Sequence, residues 1–321
     1  MKAALCFIIS YEHQLNKEKI WKDWVEPNKD IINVYFHYKD FDLIKSDWIK
    51  KHALPKNYLV QTDYLHIVPA YLTLMFYGMK HDRNNQWYCF LTDSCVPIIS
   101  PLKFREIFFE NYIFSFLGWR KAWWNTSLVK RANLHYLQPE FRLSNTPWFI
   151  LNRFDAYRCI LYSQKNKGLY DFICRGDVAN ESIFAIMLRA QNSLNFVKNE
   201  YTTLMDWTRM MNKTSPHLFK DGDNKDKKFI EDSLKENTHS IFLRKVDKKF
   251  PDDVLLEYIK EDDDISVVEK RRRRIFWLKS KMVSLKYYYF FLYYLKNYYY
   301  YFFFLGFAYF FHQYFVRFFT F

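Results

Sequence analysis

Carboxylates spaced as Asp-x-Asp are the first residues in this chain whose pattern could do chemistry. Three such pairs occur: Asp40/Asp42, Asp221/Asp223 and Asp262/Asp264. A pair of this kind can hold a divalent cation against a diphosphate, because hard cations take oxygen ligands at short range. The surroundings argue for a plainer role. Asp221 and Asp223 stand in the polar stretch 212–228 (NKTSPHLFKDGDNKDKK), and Asp262 and Asp264 in an acidic run. All three pairs read as solvated loop. No P-loop, GxGxxG, HExxH or GxSxG motif occurs. The five cysteines, Cys6, Cys89, Cys95, Cys159 and Cys174, are scattered and lack metal-ligand spacing. They read as buried free thiols, with Cys95 a small packed residue. His37 and His217 read as structural. One turn stands apart: Asp93-Ser94-Cys95-Val96-Pro97 directly follows the apolar run 87–92 (WYCFLT). The carboxyl end of a strand is where open α/β sheets bind ligands.

The elements that would carry that turn are legible as apolar runs. Residues 3–9 (AALCFII), 31–38 (IINVYFHY) and 87–92 read as strands buried on both faces. Helical spacing marks Ile20, Trp21 and Trp24, and residues 67–79 (IVPAYLTLMFYGM) read as a buried helix. Pro97 cannot continue a central ladder, so the chain must turn there. The strand–helix alternation predicts an α/β domain with a mainly parallel sheet. Further along, helices are expected over 102–109, 153–163 and 181–189. Short strands are expected over 58–61, 114–117, 148–151 and 241–245. Residues 118–147 and 212–228 read as loops.

Composition divides the chain. The 321 residues carry 48 basic and 35 acidic side chains, a net charge of +13. Ten of the basic residues and none of the acidic ones lie from Lys270 onward, so the body is close to neutral. From Ile275 onward, 25 of 47 residues are aromatic, so the tail carries the basic and aromatic signal. Six glycines and nine prolines exclude collagen-like and Gly/Pro-rich disordered chains. After Lys2 only eight mostly apolar residues follow, short for a signal-peptide core. The expected organisation is a body over 1–260, a linker over 261–297, and a membrane-spanning or interfacial helix over 298–316. Those last 19 residues lack Asp, Glu, Lys and Arg and would span about 28 Å as a helix. The basic cluster before them favours the cytoplasmic side for the body. A drifted or frame-shifted AT-rich coding sequence would give similar aromatic runs, and interleaved aromatic and basic residues can also stack single-stranded nucleic acid. The long uncharged stretch argues against the latter, and no nucleic-acid partner is expected.

Residues 87–102 (WYCFLTDSCVPIISPL) resemble the signature of the core-2/I-branching glycosyltransferase family: an apolar strand, then Asp-Ser-Cys, an aliphatic residue and Pro. Further segments resemble the family in its order and approximate spacing. They are Phe114-Ser115-Phe116, residues 146–153 (TPWFILNR), 180–188 (NESIFAIML), 206–219 (DWTRMMNKTSPHLF) and 242–246 (FLRKV). The resemblance covers about residues 3–250.

It implies a GT-A type, Rossmann-like α/β fold and inverting transfer of a sugar, usually N-acetylglucosamine, from a UDP donor to a glycan or glycoprotein hydroxyl. It implies no cofactor and no metal. Carried over by position, Glu181 would be the base, and Arg209 and Lys245 would face the donor diphosphate. Asp93, Ser94 and Cys95 would border the donor pocket, with Trp148 and Arg153 on the acceptor side. The sequence departs from the family at Asn180, where Asp is usual, at the insertion-like MMNKT after Arg209, and at residues 142–147 (RLSNTP). Asn125, Asn180 and Asn212 begin glycosylation sequons. A glycan at Asn180 would block the site, which favours a cytoplasmic-facing body. Two other classes stay open: an inactive, membrane-tethered glycan-binding relative, and a nucleic-acid binder driven by the tail.

Overall fold

The computed structural model describes residues 1–127, 129, 131–212, 214–261 and 270–281. The chain divides into two units, Met1–Glu261 and Asp262–Phe321. In the first unit the elements run β1 (Lys2–Ile8), α1 (Glu18–Val25), β2 (Ile32–His37), α2 (Asp47–His52), α3 (Val68–His81), β3 (Asn85–Thr92), β4 (Val96–Pro97), α4 (Pro101–Asn111), β5 (Trp119–Lys121), β6 (Leu143–Asn145) and β7 (Ile150–Asn152). They continue with α5 (Arg153–Lys165), α6 (Lys167–Cys174), α7 (Ile183–Ala190), β8 (Thr203–Met205), α8 (Asn224–Glu236), β9 (Phe242–Arg244) and α9 (Asp252–Ile259). The described part of the second unit is a helix over residues 270–281.

The fold is mixed α/β. The main sheet has the order β2-β1-β3-β7. β1 pairs parallel to both β2 and β3, in a register that sets Phe7 opposite Phe36 and Leu91. β7 closes the sheet antiparallel, with Trp87 opposite Asn152. A second sheet, β4-β9-β8, is also mixed: β8 runs parallel to β9 and β4 antiparallel. The mainly parallel expectation therefore describes β2-β1-β3 and not the whole.

The central residues of β1 and β3, 3–8 and 87–91, are apolar because helices cover both faces. Below Phe7, α1 brings Trp21 edge-on at 4.9 Å, and Trp21 also meets Phe242 of β9 at 5.7 Å. Both buried indoles of α1 find acceptors: Trp21 donates to the Cys95 carbonyl (2.9 Å) and Trp24 to that of Ile99 (2.7 Å). The other face is covered by α3, whose Tyr71 packs on Phe90 (4.7 Å), Phe149 and Phe184. α3 lies so close that a Cβ on Gly78 would stand 3.0 Å from the Tyr88 ring and 3.2 Å from that of Tyr35.

Several expectations change. Residues 58–61 form no strand; a 3-10 turn, Lys56–Tyr58, takes the start of that stretch. Phe116 makes isolated bridges to Ile150 and Lys198 instead of a strand. The supposed loop 118–147 holds the β5–β6 hairpin. The supposed loop 212–228 ends in α8, whose N-cap Asp223 accepts from the Asp226 amide at 2.8 Å. Pro97 does pair, at the edge of the second sheet, where its missing N–H costs no ladder bond.

Candidate functional site

β1 connects to β2 on one side and β3 lies on the other, so the order reverses beside β1. The crevice outside the carboxyl ends of β1 and β3 is where such sheets admit ligands. The turn after β3 is tied into that crevice. Asp93 accepts from the Ser10 amide through Oδ2 (3.2 Å) and from the Asn16 amide through its carbonyl (3.0 Å). The Ser94 carbonyl accepts from the Val246 amide (2.9 Å), and Asn16 Nδ2 donates to the Val246 carbonyl (2.7 Å). Cys95 is fully buried with its sulfur 3.4 Å from the Thr92 nitrogen, a packing role.

Arg244, at the end of β9, reaches across to this turn. Its Nη1 donates to Ser94 Oγ (2.7 Å) and also to Thr92 Oγ1, while its guanidinium lies 4.1 Å from the centre of the Trp148 ring. Lys245 is half-buried, and among the described residues its ammonium has no hydrogen-bond or ion-pair partner. Trp148 thus stands against the cation of β9.

Glu181 ends the 3-10 turn Ala179–Glu181 and precedes α7, so it is not a first-turn residue of the expected helix. Its Oε2 accepts from Arg131 Nη1 at 3.1 Å. Burial pushes its carboxyl above the usual range, and Arg131 offsets part of that. Asn180 is buried, and its carbonyl accepts from Asn145 Nδ2 (2.9 Å). Tyr71 joins the two halves. Its hydroxyl donates to the Pro147 carbonyl (2.9 Å), one residue before Trp148. Burial raises its pKa, with Arg244 and Asn180 pulling it down and Glu181 and Cys95 pushing it up.

Two groups of side chains result: Arg244 with Trp148, and Glu181 with Arg131 and Trp124, whose ring lies 5.3 Å from the Arg131 guanidinium; Tyr71 bonds the chain just before Trp148 and packs on Phe184 just after Glu181. In and beside these groups, five buried polar atoms lack partners among the described residues: Arg244 Nε, Trp148 Nε1, Asn180 Oδ1, Ser182 Oγ and Trp124 Nε1. Native interiors rarely leave such atoms unpaired.

Arg209 follows β8 on the same edge, but its charge is spent. Nε bonds Asp206 Oδ2 (2.5 Å) and Nη1 bonds Asp226 Oδ1 (2.9 Å), which also faces His217 Nε2 at 3.0 Å. Both carboxylates are buried, and only Nη2 lacks a partner. Burial would lower the Arg209 pKa; the bonds to Asp206 and Asp226 win and raise it. With two carboxylates to one guanidinium, this cluster is not a source of net positive charge.

Arg153 is elsewhere. Its Nη1 points to the Asn85 carbonyl (3.3 Å) and Tyr88 hydroxyl (3.4 Å), near the amino end of β3. Seven residues of extended strand, about 23 Å, separate Asn85 from Thr92. A cleft of about 400 Å³ there is lined by Gln86, Tyr112, Asn152 and Tyr157. A larger cleft, about 600 Å³, opens at the carboxyl end of β2, between Lys39, Gln61, Thr62 and His66. The loop bearing His66 is bonded to the Glu181 segment, Val178 N–H to the Leu65 carbonyl at 3.0 Å.

Of the Asp-x-Asp pairs, Asp40 caps its own turn at the Asp42 amide (3.0 Å) and Asp223 caps α8. Asp262 and Asp264 lie outside the described residues, as does 298–316. Among the described residues no three His, Cys, Asp or Glu side chains stand together to hold a metal ion. None of their helices is long and apolar enough to cross a membrane.

Sequence reasoning missed Arg244, Arg131 and Tyr71. Arg244 directly precedes Lys245 in the same segment, and only the folded chain shows that Arg244 reaches Ser94. No protein-family model matches the chain, and a search of curated proteins returns no match.

Proposed function

We propose that the body is an inverting, metal-independent glycosyltransferase of GT-A type that moves a sugar, N-acetylglucosamine in the first instance, from a UDP donor to a glycan hydroxyl. The observation that carries this reading is the unpartnered buried donors and acceptors around Arg244, Trp148 and Glu181. A polyhydroxylated ligand would pair them.

In this reading Glu181 takes the proton of the acceptor hydroxyl as its oxygen bonds the anomeric carbon, and the bond from that carbon to the UDP oxygen breaks. A positioned base of this kind contributes about 10²–10⁴-fold. UDP leaves with the bonding pair. Arg244 and Lys245 stabilise it, a cation at 4 Å being worth about 4 kcal/mol at an intermediate dielectric. Arg209, held by Asp206 and Asp226, positions the loop after β8 instead. In this reading the nucleoside enters the cleft of about 600 Å³ at the carboxyl end of β2, whose size and polar lining support the assignment. The basic, aromatic tail serves as the membrane attachment, supported by its composition.

The test is UDP release from UDP-N-acetylglucosamine with glycan acceptors and chelator present, for the full chain and for Glu181→Gln. Release that survives chelation and is lost in the variant supports the reading. Release that chelation abolishes, or that the variant retains in full, overturns it.

One observation favours a second reading, a glycan-binding protein without turnover: Arg131 already occupies Oε2 of the proposed base. That reading gives saccharide binding and no UDP release.

A further inference from the structure

At the amino end of β3, Arg153 keeps a charge that nothing neutralises. Its Nη1 reaches the Asn85 carbonyl and the Tyr88 hydroxyl at 3.3 and 3.4 Å, both long for hydrogen bonds. Among the described residues no carboxylate pairs with it, and its Nε and Nη2 have no partner. The nearest carboxylate along the chain, Asp155, is buried and committed elsewhere. Its Oδ2 accepts from Ser115 Oγ (2.6 Å), and its Oδ1 from Ser193 Oγ (2.9 Å) and Arg158 Nη1 (3.4 Å).

The cleft of about 400 Å³ at this end of the sheet is lined by Arg153 and by no other charged side chain among the described residues. Its walls are aromatic and aliphatic: Tyr112, Ile113, Phe154 and Tyr157. Asn152 ties two of them together, since its Oδ1 accepts from the Asp155 amide (2.8 Å) and its Nδ2 donates to the Ile113 carbonyl (2.7 Å). Two further lining groups are uncommitted: the Gln86 amide and the Tyr157 hydroxyl have no partner among the described residues. A mostly apolar cleft with a few convergent polar groups is the usual form of a small-molecule site, and this volume lies at the small end of that class.

The lining selects the ligand. A guanidinium edge presents two parallel N–H groups, which match the two oxygens of a carboxylate. One cation balances one negative charge, and aromatic walls favour a flat apolar body. A neutral ligand would leave Arg153 unpaired, and a small inorganic anion would leave the walls wet.

We infer that this cleft binds a small aromatic carboxylate, with its carboxylate on Nε and Nη2 of Arg153 and its ring against Ile113, Phe154 and Tyr157. Gln86 and the Tyr157 hydroxyl are placed to bond ring substituents. The site stands apart from the crevice at the other end of β3, about 23 Å along the strand, and does not depend on the glycosyl-transfer reading.

The experiment is calorimetric titration of the full chain with naphthoate, with its neutral counterpart naphthylmethanol, and with acetate. The expected result is saturable binding of naphthoate at one site, with Kd of about a millimolar or tighter, and at least tenfold weaker binding of the other two. In Arg153→Gln naphthoate should bind about tenfold more weakly while naphthylmethanol is unchanged. Phe154 is 62% exposed, so Phe154→Ala keeps the fold and tests the wall independently; it should weaken naphthoate and naphthylmethanol alike. Equal naphthoate affinity in Arg153→Gln and the unaltered chain overturns the inference, as does equal affinity in Phe154→Ala. Naphthoate that UDP displaces belongs in the crevice and overturns it too, and so does the absence of saturable binding.

Discussion

Arg244 lies with its guanidinium 4.1 Å from the centre of the Trp148 ring while its Nη1 donates to Ser94 Oγ at 2.7 Å. One side chain therefore locks the turn after β3, the strand β9 and the segment leading into β7. A planar cation held on an aromatic face, with Nε still unpartnered, is pre-set to receive an anion in one orientation.

Replacing Arg244 by Lys keeps the charge and removes the fork and the stack. UDP affinity, read by calorimetric titration, should fall about tenfold in Arg244→Lys and about a hundredfold in Arg244→Gln. Unchanged affinity in Arg244→Gln would remove this residue from the proposed diphosphate site.

The raised Glu181 carboxyl fixes the acid side of a pH profile. The base acts only when ionised, so kcat/KM should fall as pH drops through a value above the ordinary glutamate range. Arg131 lowers that value, so Arg131→Gln should move the acid limb to higher pH. In Glu181→Gln transfer should drop by about 10²–10⁴-fold with UDP affinity kept. A limb that stays in place without Arg131 would mean that another group titrates.

Arg153 offers the converse check. Its two contacts are long, 3.3 and 3.4 Å, and far from the crevice. Arg153→Ala should leave UDP release within twofold of the unaltered chain and cost about 1 kcal/mol of stability, a few degrees in Tm. A variant that folds normally yet fails to turn over would return Arg153 to the acceptor side.

His37 sets an acid limit on stability. It is buried, its Nε2 is unpartnered, and burial with the Lys39 charge lowers its pKa to about 4. The unfolded chain takes up that proton near 6.5, where the folded one refuses it. Its contribution is complete above pH 6.5 and is lost as pH falls toward 4, about 3 kcal/mol across that window. Chemical denaturation at pH 7, 5.5 and 4.5 should show this slope, and His37→Gln should flatten it. Equal slopes in both proteins would place the acid sensitivity elsewhere.

What the sequence shows depends on burial. β1, β2 and β3 are legible because helices on both sides demand unbroken apolar runs. The β5–β6 hairpin is not, since Trp-Arg-Lys and Leu-Ser-Asn carry no alternation long enough to read. α8 hides in a polar stretch with only Ile230 and Asp226 buried, and Asp223 as N-cap is its one local signal. For the site, Asp93 and Ser94 follow the carboxyl end of β3, a position readable from the apolar run before them, whereas the contact of Trp148 with Arg244 shows only in the fold. Arg153 adjoins Trp148 closely in sequence but sits past β7, where the chain has already crossed to the amino end of β3. The neutralisation of Arg209 was invisible because Asp226 lies 17 residues on and meets it only through the turn into α8.

Helix α1 holds more than its own length. Trp21, Trp24 and Asn16 just before it fasten the carbonyls of Cys95, Ile99 and Val246 from one short stretch of chain. Any fluctuation that lifts this stretch releases three strand ends together, while the amides of β1 and β3 stay shielded. Amide exchange at Val246 and Asn16 should thus proceed as one cooperative event, ahead of global melting. Binding energy drawn from the crevice would be felt first as slower exchange in a helix that touches no ligand.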